Sequence, residues 1–383
     1  MTGNREPRHD PAEGIALPFE GPSTLGCGSD TGTTVCLSRG SRAFVSEPFA
    51  DLSMYGCYRE FEQGIADLSG TLGVEPKVVA HDLHPDYPST RYAGVMERVE
   101  LEPVQHHHAH VAACMVENKL RGKVLGLAFD GMGLGSDGTL WGGEFLVCGL
   151  DEFRRAAHFK QYALPGGDQA TLNPERIAFS CILSEFDGST EVAARLLPGI
   201  EKAQVDTLEK MLNKGLRSPL TSSAGRLFDA VSALLGFRGS VAFSGEAAMQ
   251  LQSLALQGVT DEYGFTCTDG VLDFGPMIRE IVSDIENGVA KERIAAIFHN
   301  TIASGAADVA GHIAEAEGIR KVALSGGVFF NELLRTSVTE RLRSGGLEVY
   351  THCLLSPGDA CVSLGQVAVA VARRGSECEC VSV

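Results

Sequence analysis

The sequence predicts a mixed α/β protein of two lobes, with a long helical insertion in the second. Three observations predict it. Short β-prone runs split by Gly and Asp turns open the chain, strand–turn–helix units close it, and residues 173–317 between them carry almost unbroken helical spacing. At 383 residues the chain exceeds the roughly 250–300 residues at which a single core stops growing, so two lobes around a cleft are expected.

Residues 1–20 are rich in Pro, Gly and charge and read as a disordered tail, the first ordered element starting near Ser23. Strands at 24–28, 34–37 and 43–45 form a meander. Its first connection, Gly28-Ser29-Asp30-Thr31-Gly32-Thr33-Thr34, is rich in glycine and hydroxyls. It either cradles an anion with backbone N–H groups or is a plain hairpin turn. A helix over 61–72, a strand over 77–80 and a helix over 104–120 follow, then a buried strand over 123–129 ending at Asp130, and strands over 144–150 and 155–163. The insertion holds helices at 176–186, 224–235, 246–256 and 292–316. The chain returns as strand 321–324, a glycine turn, helix 331–344, strand 347–352 and a last helix 360–373. The first lobe is expected over 21–122, completed by helix 360–374, the second over 123–359, and 375–383 as a flexible tail. No repeat stands out.

Composition excludes several functions. With 32 basic against 49 acidic residues the formal charge is −17, and no basic patch offsets it, so a nucleic-acid partner is not expected. Arg341 with Arg343, and Arg373 with Arg374, read as solvated helix surface. The eleven cysteines sit in apolar stretches such as Val35-Cys36-Leu37 and form no CxxC pair, the pattern of reduced thiols in the cytoplasm. The tail pair Cys378 and Cys380 reads as part of a frayed terminus. Residues 1–14 lack an apolar signal core, and no apolar run is long enough to span a bilayer.

The strongest local signal is Gln105-His106-His107-His108-Ala109-His110. On a helix His106 and His110 are i and i+4, so both project from one face and can chelate one metal ion; His107 with His110, at i and i+3, is the competing pair. Asp130 is the best third ligand, because strand ends are where α/β sheets place their sites. Asp359, in Ser356-Pro357-Gly358-Asp359, is the fourth candidate, or a helix cap, or both. Two glycine-rich segments suggest phosphate contacts. Asp130-Gly131-Met132-Gly133-Leu134-Gly135 leads towards another strand and is not a dinucleotide turn, whereas Leu324-Ser325-Gly326-Gly327 sits between strand and helix, where N–H groups favour an anion. No Walker lysine motif is present.

These segments, in this order, are similar to the Kae1-like domain of HypF, the hydrogenase-maturation carbamoyltransferase, within the actin/Hsp70/sugar-kinase (ASKHA) superfamily. The similarity covers residues 25–370. It also rests on His81-Asp82-Leu83-His84-Pro85-Asp86-Tyr87, Asp137-Gly138-Thr139-Leu140-Trp141-Gly142-Gly143-Glu144, Leu164-Pro165-Gly166-Gly167-Asp168, Ser223-Ala224-Gly225-Arg226-Leu227-Phe228-Asp229-Ala230 and Ser363-Leu364-Gly365-Gln366. The resemblance implies that His106, His110, Asp130 and Asp359 bind a divalent metal, iron with zinc as the alternative, beneath the phosphates of an adenine nucleotide, with Mg an optional companion. It further implies that Gly326, Gly327 and Asn331 lie along the nucleotide, that Gly142, Gly143 and Glu144 line the same cleft, and that Gly225 and Asp229 belong to the nucleotide site. The implied reaction moves carbamoyl from carbamoyl-adenylate to the C-terminal cysteine of a HypE-like acceptor. His81 and His84 are the candidates for proton transfer or acceptor positioning, against a structural role for their Pro-bounded turn.

Two departures from the family stand out. The 383 residues hold no acylphosphatase, zinc or YrdC-like adenylate-forming module, so a separate YrdC-like protein is expected to supply the adenylate. Gly32 precedes Thr33-Thr34 where the family carries lysine before Asn-Thr. Two rival readings stay open: an O-carbamoyltransferase acting on a small hydroxylated molecule, and a catalytically reduced nucleotide-binding scaffold.

Overall fold

A computed structural model describes the backbone of residues 13–380 and the side chains of 13–375. The expected disorder of 1–12 and the tail cysteines Cys378 and Cys380 fall outside the described residues or side chains. The first sheet contains β1 (Ile15–Ala16), β2 (Thr24–Gly26), β3 (Cys36–Arg39), β4 (Arg42–Val45), β5 (Val78–Asp82) and β6 (Glu100–Val104). Its order is β1-β4-β3-β2-β5-β6, with β5 and β6 parallel to β2 and the rest antiparallel. Gly40, at φ 59°, supplies the two-residue turn between β3 and β4. The ordered chain begins before the expected Ser23: Ile15 pairs with Ala43, and Ile15 and Leu17 are buried. Their alternation within a charged stretch is a strand signal outweighed by composition. Helices α1 (Tyr55–Leu72), α2 (Pro88–Val95) and α3 (His106–Glu117) belong to this half.

The second sheet contains β7 (Val124–Leu134), β8 (Leu140–Cys148), β9 (Phe153–Phe159), β10 (Tyr162–Ala163), β11 (Leu220–Thr221), β12 (Thr266–Thr268), β13 (Val271–Asp273), β14 (Lys321–Ser325) and β15 (Glu348–Tyr350). The order β12-β13-β9-β8-β7-β14-β15 repeats the first sheet's plan: an antiparallel meander, β9-β8-β7, followed by two parallel strands, β14 and β15. The insertion is not purely helical. Around α4 (Asp168–Leu172), α5 (Pro174–Glu185), α6 (Thr190–Leu196), α7 (Lys202–Lys214), α8 (Ala224–Leu234), α9 (Glu246–Leu254), α10 (Gly275–Glu286) and α11 (Lys291–Glu317) it contributes β11, β12 and β13. β12 and β13 are joined by Asp269-Gly270, both at positive φ, a two-residue hairpin signal that the surrounding helical spacing masks. Helices α12 (Glu332–Ser344) and α13 (Val362–Cys380) complete the fold.

Strand alternation sorts the core into layers. Leu25, Leu37 and Val79 pack with Phe61 of α1 and Ala93 of α2. Val78 and Ala80 of β5, Val124 and Ala128 of β7, and Ala323 of β14 pack with α3 and α13, which lie between the sheets. Leu125, Leu127, Phe129, Val322 and Leu324 face the insertion helices. Period two then places Asp82, Asp130 and Ser325, at the next even steps of β5, β7 and β14, on the faces that look at α3. Helices α3 and α13 meet backbone to backbone at Gly365, where an added Cβ would collide with the Ala109 carbonyl.

Candidate metal centre

Helix α3 starts at Gln105, whose side-chain oxygen accepts the His108 N–H at 2.9 Å, and every residue of the helix is buried. Its first turns carry His106 and His110 on one face, with ring centroids 4.9 Å apart. The Nε2 of His106 lies 3.5 Å from Asp130 Oδ2 and 3.8 Å from Asp359 Oδ1; the Nε2 of His110 lies 3.9 and 3.7 Å from the same atoms. All four donors fall within 4.8 Å of one another. His107 is not among them: its Nδ1 sits 3.0 Å from Gln105 Nε2, so the i, i+3 pairing of His107 with His110 is not what this helix presents.

A divalent cation fits these residues. Both Nε2 atoms are buried and without a hydrogen-bond partner, a costly state for an imidazole that a metal ion would relieve. Donors around an ion bound at roughly 2.0–2.2 Å sit roughly 3–3.5 Å apart, so a small contraction would close the set. Two imidazoles and two carboxylates suit iron or zinc.

Burial raises the Asp130 carboxyl, but the nearby imidazoles of His106 and His110 outweigh it and hold the group well below the usual carboxylate range. Burial pushes His106 down, yet Asp82, Asp130 and Asp359 together lift it well above the usual imidazole value. Without a cation, a proton takes its place. Burial keeps His108 neutral, its value lowered to about 4, with Nε2 2.9 Å from the Gly149 carbonyl.

Asp130 does not end its strand, as the sequence suggested. β7 continues to Leu134 through a register shift between Phe129 and Gly133, with Asp130 at the start of that bulge. In the glycine run after it, Gly133 and Gly135 serve packing. A Cβ on Gly133 would come within 2.8 Å of the His106 and His107 rings, and one on Gly135 would enter the Trp141 indole. Asp359 is the first residue of a 3-10 turn, Asp359–Cys361, whose N-cap position is Gly358, so Asp359 does not stand at the cap.

Four of the glycines expected along the nucleotide converge on Asp130 and its neighbours. Cβ atoms on Gly142 and Gly225 would meet the Asp130 carbonyl, Gly326 at φ 105° abuts the Phe129 carbonyl, and Gly327 N donates to Asp130 Oδ1 at 2.7 Å. Gly143 packs against the Ser222 carbonyl and Phe159. Three side chains expected at the cleft are instead engaged inside the protein. Glu144 has no exposed surface; its oxygens accept from Gly142 N, Gly143 N, Ser222 Oγ and Arg155 Nε at 3.0, 3.2, 2.6 and 2.6 Å. Asp229 pairs with Arg226 at 2.9 Å, and burial, partly offset by that guanidinium, raises its value. Asn331 caps α12 through Leu334 N at 3.0 Å and donates to His299 Nε2 at 2.9 Å. Glu144 thereby braces the turn at Gly142 and Gly143, and Asn331 the start of α12 after Gly327.

His81 and His84 flank Asp82. The Nδ1 of His81 is 2.8 Å from the Asp82 carbonyl, and His84 stacks on Tyr87 with centroids 4.3 Å apart. The first loop is no plain hairpin: Thr33 Oγ1 accepts Ser29 N, while Gln366 of α13 holds both backbone groups of Gly28 at 2.7 and 2.9 Å. Residues missed by sequence reasoning surround the donors. Asp82 Oδ2 lies 2.7 Å from His106 Nδ1, and Ser325 Oγ and Cys361 Sγ each lie 3.3 Å from His110 Nδ1. Asp82 sits in the quoted His-Asp-Leu-His segment at a strand end, which is the signal that could have found it.

Paired sheets of one plan, separated by two central helices, one of which carries two of the four clustered donors, define an ASKHA-type, Kae1-like fold. Residues 20–117 match the "HypF Kae1-like domain" and residues 126–366 the "Carbamoyltransferase, Kae1-like Domain, second subdomain". Carbamoyltransferase HypF of Rhizobium leguminosarum is 37% identical over 94% of this chain and 46% of its own length; the carbamoyltransferase HypF homolog of Cupriavidus necator is 36% identical over 90% and 91%. A crystal structure of full-length HypF in a phosphate- and nucleotide-bound form superposes with a TM-score of 0.89 at 37% identity, over 94% of this chain and 47% of that one. The chain belongs to the HypF Kae1-like carbamoyltransferase family. It spans about half the length of most curated relatives it matches.

Proposed function

We propose that the chain is a carbamoyltransferase that moves a carbamoyl group from carbamoyl-adenylate to the C-terminal cysteine thiol of a HypE-like protein, within the maturation of NiFe hydrogenase. The observation that carries this reading is the cluster His106, His110, Asp130 and Asp359, with two unpartnered imidazole nitrogens, set against the glycine turn at Gly326 and Gly327 in a chain of this family. A divalent metal held there, iron in our reading, supplies positive charge for phosphate oxygens.

The protein's own groups orient the reactants. Gly326 and Gly327, between β14 and α12, let the turn press onto Phe129 and Asp130 beside the cluster, and Gly142 and Gly225 let the chain close around the same point; in our reading the phosphates lie against this turn. The acceptor's sulfur attacks the carbamoyl carbon, the C–S bond forms, the bond from that carbon to the phosphate oxygen breaks, and AMP leaves. The thiol proton passes to a base. His81 takes this role in our reading, which its bond from Nδ1–H to the Asp82 carbonyl supports by leaving Nε2 as an acceptor. His84, beside it, orients the acceptor. The adenylate comes from a separate YrdC-like protein. Phosphate and nucleotide in the solved relative support the binding of an adenine nucleotide, and thiols free of disulfides among the described residues support a reducing cytoplasm.

Incubation with carbamoyl-adenylate and a purified HypE-like acceptor, followed by mass measurement of the acceptor, tests the reading. A carbamoyl increment on the terminal cysteine is expected. An unmodified acceptor alongside a carbamoylated small hydroxyl compound would replace this reading with O-transfer, and no product at all would leave a binding scaffold.

A further inference from the structure

Building on the reading of the four donors as a metal centre, we propose that Glu117 is a positioning residue that sets two of them from a distance: His110 through a hydrogen-bonded relay, and Asp359 through the segment that carries it.

Glu117 is the last residue of α3, and its side chain is fully shut off from solvent. A carboxylate there opposes the helix dipole and gives up hydration, so it rests wholly on its partners. Oε1 lies 2.6 Å from His352 Nδ1. Oε2 accepts the N–H groups of Cys353 at 2.7 Å, Leu354 at 2.6 Å and Leu355 at 3.3 Å. One carboxylate thus gathers the start of the segment that leaves β15 and reaches Asp359 a few residues later.

The relay has one direction. A carboxylate only accepts, so His352 Nδ1 donates to Glu117, and in the singly protonated ring this leaves Nε2 as the acceptor. Ser325 Oγ lies 2.7 Å from that Nε2 and donates to it. With its single proton committed, Oγ can only accept, and the group facing it at 3.3 Å is His110 Nδ1. Cys361 Sγ, also 3.3 Å from that nitrogen, is a second acceptor. His110 therefore carries its proton on Nδ1, which leaves a bare lone pair on Nε2, the atom that faces Asp130 and Asp359. The opposite polarity would put a proton where the ion belongs. His106 receives the same instruction from Asp82 in one step; His110 receives it from Glu117 in three.

The test uses the full chain, Co2+ as a spectroscopic probe, and the variants Glu117→Gln and Ser325→Ala. Long-range 1H–15N correlation on the metal-free chains reads the His110 tautomer, chelator competition reads Co2+ affinity, and ligand-field absorption reads the geometry around the ion. In the unaltered chain His110 is expected as the Nδ1–H form. Glu117→Gln is expected to mix the tautomers, change the absorption bands and weaken Co2+ binding by about 10- to 100-fold. Ser325→Ala leaves the bonds from Glu117 to the segment intact, so it should reproduce the tautomer mixing with a smaller loss of affinity. It carries the test should Glu117→Gln fail to fold. An unchanged tautomer in the folded variants, with Co2+ affinity and bands as in the unaltered chain, overturns the positioning role alone. Failure of the unaltered chain to take up Co2+ overturns the metal reading itself.

Discussion

His106 Nδ1 and Asp82 Oδ2 lie 2.7 Å apart, and neither side chain has any exposed surface. The contact joins the end of β5, in the first sheet, to the helix that faces the second. It fixes the proton of His106 on Nδ1 and turns Nε2 towards Asp130 and Asp359.

Replacing Asp82 with Asn keeps the shape but exchanges an obligate acceptor for a group that can also donate. Metal affinity is expected to fall by about 10- to 100-fold, and stability by roughly 1–3 kcal/mol from the weakened buried hydrogen bond. Chelator competition and urea unfolding read the two effects separately. An affinity equal to that of the unaltered chain would remove Asp82 from the centre.

His110→Ala deletes one of the four donors and leaves the Nδ1 partners without their bond. Bound metal per chain is expected to drop at least about tenfold, and carbamoyl transfer to the acceptor with it. Elemental analysis and acceptor mass measure these. Retained transfer from a metal-free variant would separate the chemistry from the cluster.

Stripping the metal should lower the thermal midpoint, and returning it should raise the midpoint in proportion to the logarithm of its concentration. A ligand at 100 times its Kd contributes about 2.7 kcal/mol to the folded state. A midpoint indifferent to iron, zinc and chelator would show that no ion is held in the fold.

Gly326→Ala forces a methyl group against the Phe129 backbone at a φ of 105°, a conformation hostile to L side chains. A loss of roughly 2–4 kcal/mol is expected in urea unfolding. A substitution that costs nothing would mean the strand-to-helix turn relaxes freely and does not shape the cleft.

Burial tends to raise the Glu117 carboxyl, but His352 and the N–H groups of Cys353 and Leu354 bring its value below the ordinary 4.5. A carboxyl lowered by folding stabilises the native state above its unfolded-state value. That contribution fades as the pH falls through the lower folded-state value. The stability difference between the unaltered chain and Glu117→Gln should therefore be full at neutral pH and shrink below 4.5. A difference that persists undiminished into strong acid would assign it to packing instead of charge.

Much of this architecture is legible in the sequence because its signals are local. The imidazoles of α3 share a face by helical spacing alone, and Asp130 and Asp359 stand beside turns that any reader of glycine and proline would mark. Other features need the third dimension. Asp82, Ser325 and Glu117 acquire their roles only once two sheets and a central helix bring β5, β14 and α3 together. Glu144, Asp229 and Asn331 look like cleft residues from their motifs, and only burial reveals that their polar atoms are already engaged. The repeated sheet plan leaves no repeat in the sequence, because corresponding strands pack against different helices and so bear different side chains. The 266–273 hairpin was hidden by the helices on both sides of it.

The missing side chain at Gly365 has a mechanical consequence. With nothing between the helices at that point, the Ala109 carbonyl rests directly on the last helix, and the two rods are locked like a tenon in its mortise. A single methyl group placed there would disturb both halves of the protein at once.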